Sequence, residues 1–122
     1  MPAKTPIECG DMLLDALNRG DVEAAVALYE PDALFISGGN SVQGHAAIRE
    51  TFAGFAALEA EFSAERRAMH VTGDIAMALS TWKCEGVDAD GNRVEFGGDS
   101  VDVIRRQPDG TWLFAIDNAT TE

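Results

Sequence analysis

Residues 111–118, TWLFAIDN, hold five consecutive apolar side chains, Trp112 to Ile116, and then Asp117 with no turn residue between. Such a run reads as a strand buried on both faces. A carboxylate ending it either steps into water, capping backbone N–H groups or pairing with Arg66 or Arg67, or points into a pocket. In a pocket of low dielectric its pKa rises, and it can serve as a general acid or base. Other chemistry-bearing types are sparse. His45 and His70 fit no His-x-His or Glu-x-x-His spacing, so no metal site is expected. Cys9 and Cys84 lie far apart, fit no CxxC spacing and are expected to be free thiols. The acidic stretch 88–99, DADGNRVEFGGD, has Gly91 at the fourth position where a calcium-binding EF-hand loop needs glycine at the sixth, and it is flanked by strand patterns. Calcium binding is therefore not expected.

Nine Lys and Arg against 21 Asp and Glu give the 122-residue chain a formal net charge of −12. That balance repels nucleic acid and anionic membranes, neither of which is expected as a partner. No segment approaches the roughly 20 apolar residues of a membrane span. The N-terminal MPAKTPIECG lacks the apolar stretch of a secretory signal. The expected location is cytoplasmic, which agrees with free thiols.

These residues must be positioned by a recognisable order of elements. Ile7, Met12, Leu13, Ala16 and Leu17 form a helical stripe over 7–19, and Gly20 ends it. Asp21 caps a second short helix over 21–30, which Pro31 stops. On that helix Tyr29 reads as a packing residue whose hydroxyl reaches the surface. Residues 33–37 form a strand and 38–41 a turn, followed by a third helix from about His45 to Leu58. Four strands follow as an antiparallel meander, broken by turns at Gly73-Asp74, at 88–92 and at 107–110. Helices first and strands afterwards mean α+β: a cone-shaped, curved antiparallel sheet wrapped over three N-terminal helices, in a single domain over 1–122.

Gly20-Asp21, Ala25, Leu28-Tyr29, Asp32-Ala33, Gly44, Ala47-Ile48 and Phe52, with the closing VIRRQPDGTWLFAIDN, resemble the nuclear-transport-factor-2-like superfamily. More narrowly they resemble its SnoaL-like and YybH-like proteins. The resemblance implies a roll with a pocket at one end and a homodimer. It also allows a comparison with ketosteroid isomerase, a relative by shape. The isomerase tyrosine falls on Leu13, its base on Ser37 and its protonated aspartate near Val101, so none of the three functional groups is kept, and that activity is not expected.

The same resemblance implies which strand faces look inward: Ala78, Ser80, Trp82 and Cys84; Gly97, Asp99, Val101 and Val103; Leu113, Ala115 and Asp117. Asp102 then faces outward into solvent. Asp117 and Asp99 become the candidate acid–base pair. Trp82, Leu13, Phe52, Phe55, Ser80, Val101 and Ala115 become the candidate ligand-binding wall around a small hydrophobic molecule. One reading is a cofactor-free acid–base enzyme of isomerase, cyclase or dehydratase type. The alternative is a non-catalytic ligand-binding or dimeric scaffold module, its outer face built from Trp112, Phe114, Ile116 and Ile104.

Overall fold

The structure, a computed structural model, describes residues 2–120. Thr5 opens α1 (Pro6–Asn18) by accepting the Glu8 N–H, and Pro6 sits in the first turn where its missing N–H costs nothing. Gly20, at φ +67°, turns the chain out of α1. Asp21 then accepts the Ala24 N–H and starts α2 (Val22–Val26).

Helix α2 ends earlier than the sequence pattern implies, because Tyr29 opens β1 (Tyr29–Ser37) rather than closing the helix. Tertiary pairing outweighs local propensity here. The Phe114 N–H donates to the Leu28 carbonyl at 2.8 Å, Tyr29 pairs with Phe114, and their rings stack at 4.9 Å. Pro31 thus lies inside a strand, in the stretch between Tyr29 and Leu34 where the register slips and a missing N–H is tolerated. Strand β2 (Asn40–Gln43) pairs back on β1, and α3 (His45–Ala57) follows.

The remaining elements are β3 (Glu61–Thr72), β4 (Ile75–Val87), β5 (Arg93–Arg106) and β6 (Trp112–Asn118). They form the expected antiparallel meander, and β6 also pairs with β1 in parallel, giving one curved sheet in the order β2-β1-β6-β5-β4-β3. The helices cover its inner face. Between them lies an aromatic core in which Phe52 meets Tyr29 and Phe35 edge to face, both at 5.6 Å.

Two bulges decide which side chains join that core. Arg66 pairs with Ser80 and Ala68 with Leu79, which leaves Arg67 unopposed. Ile104 pairs with Phe114 and Val103 with Ile116, which leaves Ala115 unopposed. An extra residue shifts the alternation of a strand by one. Phe114 and Asp117, three residues apart, therefore both face inward, as do Arg66 and Met69.

A close backbone approach next to the site gives a stability test. A Cβ on Gly97 would stand 2.2 Å from the Trp82 carbonyl oxygen, whereas on Gly98 its nearest neighbour would be Thr120 Cγ2 at 3.5 Å. Gly97→Ala should lower unfolding stability by about 1–3 kcal/mol, while Gly98→Ala leaves it near wild type. Chemical denaturation checks this, and equal midpoints for the two variants would contradict the steric account.

Candidate functional site

The inner face of the sheet, α1 and α3 enclose a cavity of about 160 Å³. An apolar cavity of about 150 Å³ holds benzene, so the space suits a molecule roughly one ring in size. Cross-strand register sets its walls. Arg66, Ser80 and Ser100 form one row over β3, β4 and β5; Met69, Ala78, Asp102 and Asp117 form the next, reaching β6. Phe52 and Phe55 of α3 and Leu13 of α1 close the helical side.

The cavity runs from a wet rim to a dry floor. At the rim stand exposed Asp11 of α1 and Arg66 of β3, joined by an ion pair of 2.8 Å. Further along, α1 is clamped to β3: the Asn18 amide donates to the Phe62 carbonyl at 3.0 Å, and its Oδ1 accepts the Phe62 N–H at 2.6 Å. At the floor lie Tyr29, Ile104 and Phe114, each 1 % exposed, and Asp117 at 6 %.

Polar chemistry concentrates on that floor. The Tyr29 hydroxyl donates to Asp117 Oδ2, and Asp102 hydrogen-bonds to Asp117 from the adjacent strand. Burial holds the Asp102 carboxyl well above the usual carboxylate range, and the Asp117 charge and their mutual hydrogen bond push it further. Burial also raises Asp117, but the hydrogen bonds from Asp102 and Tyr29 pull against it. The two carboxyls therefore share one proton, and the Tyr29 hydroxyl on Asp117 favours the charge there and the proton on Asp102. This resolves an otherwise awkward feature, since Asp102 Oδ1 is buried with no donor facing it. A neutral carboxyl leaves this oxygen without a donor at less cost than a carboxylate would.

Burial likewise pushes the Cys9 thiol up to about 12, with the negative charge of the Asp102–Asp117 pair adding to the effect. Cys84 rises to about 11, first by burial and then by Glu85. Both are free, buried and protonated at neutral pH, the opposite of a nucleophilic cysteine.

Of the residues singled out in the sequence, Trp82, Leu13, Phe52, Phe55, Ser80 and Asp117 line the cavity. The Trp82 indole N–H donates to the Ala119 carbonyl at 2.5 Å, so its ring, not its N–H, faces the space. Asp99, Val101 and Ala115 do not line it. The facing of β5 is the reverse of the expected one: Ser100, Asp102 and Ile104 point inward, while Asp99 is exposed, 2.8 Å from Thr81 Oγ1 and 3.1 Å from Arg67. Asp102 is thus not a solvated residue. Tyr29 is buried rather than reaching the surface. Phe114 and Ile104 belong to the inner face and Trp112 is buried, so of the residues expected on the outer face only Ile116 stays clear of both core and cavity.

His45 is half-buried at the start of α3 with its Nε2 2.7 Å from the Tyr29 carbonyl, and His70 is exposed. Among the described residues no group of three or more His, Cys, Asp or Glu is placed to hold a metal ion, and no helix is long and apolar enough to cross a membrane.

The carboxyl pair makes stability depend on pH with a definite sign. Because the folded-state pKa of Asp102 is raised, the folded protein keeps a proton that the unfolded chain releases above about pH 4. Stability is therefore full below that value and falls as pH rises through the folded pKa. Asp102→Asn, which imitates the neutral acid, should match wild type near pH 4 and exceed it by a growing margin up to pH 8 in thermal unfolding. An equal loss at both values would contradict a protonated Asp102.

The chain aligns at TM-score 0.78 with a ketosteroid isomerase-like protein from Erwinia carotovora, 20 % identical over 90 % of this chain and 88 % of that one. A nuclear transport factor 2 superfamily protein from Salmonella enterica also gives 0.78, at 19 % identity over 94 % and 88 %. A conserved protein from Planctomyces limnophilus gives 0.81, at 18 % identity over 90 % and 88 %. At such identities these likenesses speak for the fold alone. Comparison with curated proteins gives no significant match. Residues 11–114, most of the chain, match the SnoaL-like domain, so this protein belongs to the SnoaL-like family, and it has the fold of nuclear-transport-factor-2-like proteins.

Proposed function

We propose that this protein binds a small, mainly apolar molecule about one ring in size and moves a proton on it, with Asp117 as base and Asp102 as acid. The observation that carries this reading is the hydrogen-bonded carboxyl pair, with the Tyr29 hydroxyl on Asp117, at the floor of a mostly apolar cavity; burial raises both carboxyls, and hydrogen bonds pull against the shift on Asp117. Two like groups with separated roles are what general acid–base catalysis at neutral pH requires. The Asp102 O–H, which otherwise donates to Asp117, turns to the oxygen on which charge develops, and this frees Asp117 to take a proton from a carbon beside the carbonyl. Tyr29 fixes the Asp117 carboxylate through Oδ2. The family hosts isomerase-type chemistry, and this arrangement supports that class without a cofactor.

A binding protein without turnover is the second reading. It is favoured by one feature: Asp117 already accepts hydrogen bonds from Tyr29 and Asp102, which lowers its basicity.

The reading also includes a second copy of the chain. With Ala78, Ser80 and Asp102 inward, alternation puts Leu79, Val101, Val103 and Ile116 on the outer face beside exposed Met77. That face is apolar enough to pair with itself in an isologous dimer. Val103→Asp should then turn a dimer into a monomer in light scattering, and an unchanged mass would count against this face as the interface.

Deuterium uptake at the α-carbons of cyclohexanone in D2O, followed by proton NMR, tests the catalytic reading. The protein should speed exchange above buffer, Asp117→Asn should remove about 10²–10⁴-fold of that acceleration, and Tyr29→Phe should cost less. If p-cresol perturbs Trp82 fluorescence while no exchange is seen, the binding reading stands and the catalytic one falls.

A further inference from the structure

Arg66 is the one cation among the residues that line the cavity, and the proposed floor chemistry gives it no task. Its placement is not that of an ordinary surface residue. The bulge at Arg67 turns Arg66 inward, onto the row that continues through Ser80 to Ser100 beside the floor. Without that extra residue the alternation that brings Met69 inward would carry position 66 to the outside.

We infer that Arg66 receives a carboxylate at the rim, so that the ligand is a small amphipathic monoanion with a ring inside and a charged end at the mouth. This rests on the pocket reading proposed above and narrows its ligand class.

Three observations carry it. First, the guanidinium has five donors, and the hydrogen bond seen from it runs from Nη2 to Asp11 at 2.8 Å. Its remaining donors can take a carboxylate in the bidentate manner arginine favours. Second, Asp11 is a replaceable partner. Its side chain is 67 % exposed, and an ion pair so open to water contributes little, so a ligand carboxylate can displace it at small cost. Arg66 is 32 % exposed on its side chain, so its charge is less screened than that of a free surface arginine.

Third, the dimensions agree. Neighbouring strands lie about 4.8 Å apart, so the β3 and β6 backbones that carry Arg66 and Asp117 are separated by roughly 14 Å. The side chains reach into that span from both sides and leave room for about one ring and a short arm, as the 160 Å³ volume does. The limit to one negative charge follows from electrostatics. A single rim cation on a chain of net charge −12 favours a monoanion and opposes a phosphate or dicarboxylate.

The ion pair also places the entrance. It bridges α1 and β3 away from the Asn18 clamp, through two side chains that are both open to water. Exchanging Asp11 for a ligand carboxylate would open that bridge and neutralise Arg66 in one step.

Calorimetric titration with p-cresol and with 4-hydroxyphenylacetate tests the inference, since the probes share a ring and differ by the carboxylate. The wild-type protein should bind the anion at least tenfold more tightly than p-cresol. Arg66→Gln should remove that preference while leaving p-cresol affinity unchanged, and Asp11→Asn should increase it severalfold. Retained p-cresol binding by Arg66→Gln also shows that the variant is folded; Arg66→Lys, which keeps the charge, should keep part of the preference. An anion bound no better than p-cresol, or a preference that survives Arg66→Gln, overturns the role of Arg66 and leaves the pocket reading standing. Failure of both probes to bind the wild-type protein overturns both.

Discussion

Two carboxyl groups on adjacent strands, Asp117 buried and Asp102 half-buried at the cavity floor, cannot both be charged cheaply, and the architecture of the site follows from that constraint. Asp102 and Asp117 sit opposite each other in the β5–β6 ladder. Ionising both would place like charges side by side in a low dielectric, which costs far more than holding one proton. The remaining charge on Asp117 then needs donors, and the fold supplies two: the Asp102 acid and the Tyr29 hydroxyl. The early end of α2 becomes intelligible in this light. Had the helix continued through Tyr29, no hydroxyl would reach the floor, and Asp117 would be a buried carboxylate with one partner.

The bulges are what make the inner face polar at chosen points and apolar elsewhere. Strict alternation through β6 would let Phe114 or Asp117 face the helices, but not both. With Ala115 unopposed, Phe114 stacks on Tyr29 while Asp117 receives its hydroxyl. The Arg67 bulge does the same at the rim for Met69 and Arg66. Each inserts one polar group into a wall of apolar side chains without giving up the neighbouring contact, a use of bulges that recurs beside functional sites.

The order of elements was readable because it rests on strong local signals. The Asp21 cap, the φ +67° of Gly20 and the turns at 73–74 and 88–92 all punctuate the chain where the pattern places them. Family likeness supplied the inward facing of β4. The facing of β5 was misread, although it could have been deduced. The loop 88–92 pairs Val87 with Arg93, so even-numbered residues of β4 oppose even-numbered residues of β5. Inward Ala78 and Ser80 thus require inward Asp102 and Ser100, and exclude Asp99. The parts that no local reading reaches are the bulges and the fate of Tyr29. Ala115 has nothing in its type that marks an unopposed residue. Tyr29 follows a run that fits a helix, and only the parallel pairing with Phe114, 85 positions along the chain by the β1–β6 register, pulls it into a strand.

The strong negative charge of the chain acts on the site in the same sense as burial, but its weight is smaller. A net −12 opposes every further ionisation, so it favours the protonated form of Asp102. At physiological ionic strength, however, charges on the surface are screened over about 8 Å. Asp102 and Asp117 lie on the buried inner face, with apolar side chains between them and most of the acidic residues. Local desolvation and the mutual repulsion of the pair therefore set the proton's position, and the surface charge only reinforces it. The consequence for the rim is the opposite. There Arg66 is close to water and a few residues from the acidic exterior, so its attraction for an anion depends on Asp11 and on salt. One chain thus holds two electrostatic regimes about three strands apart: a floor whose protonation is little affected by salt, and a mouth that responds to it.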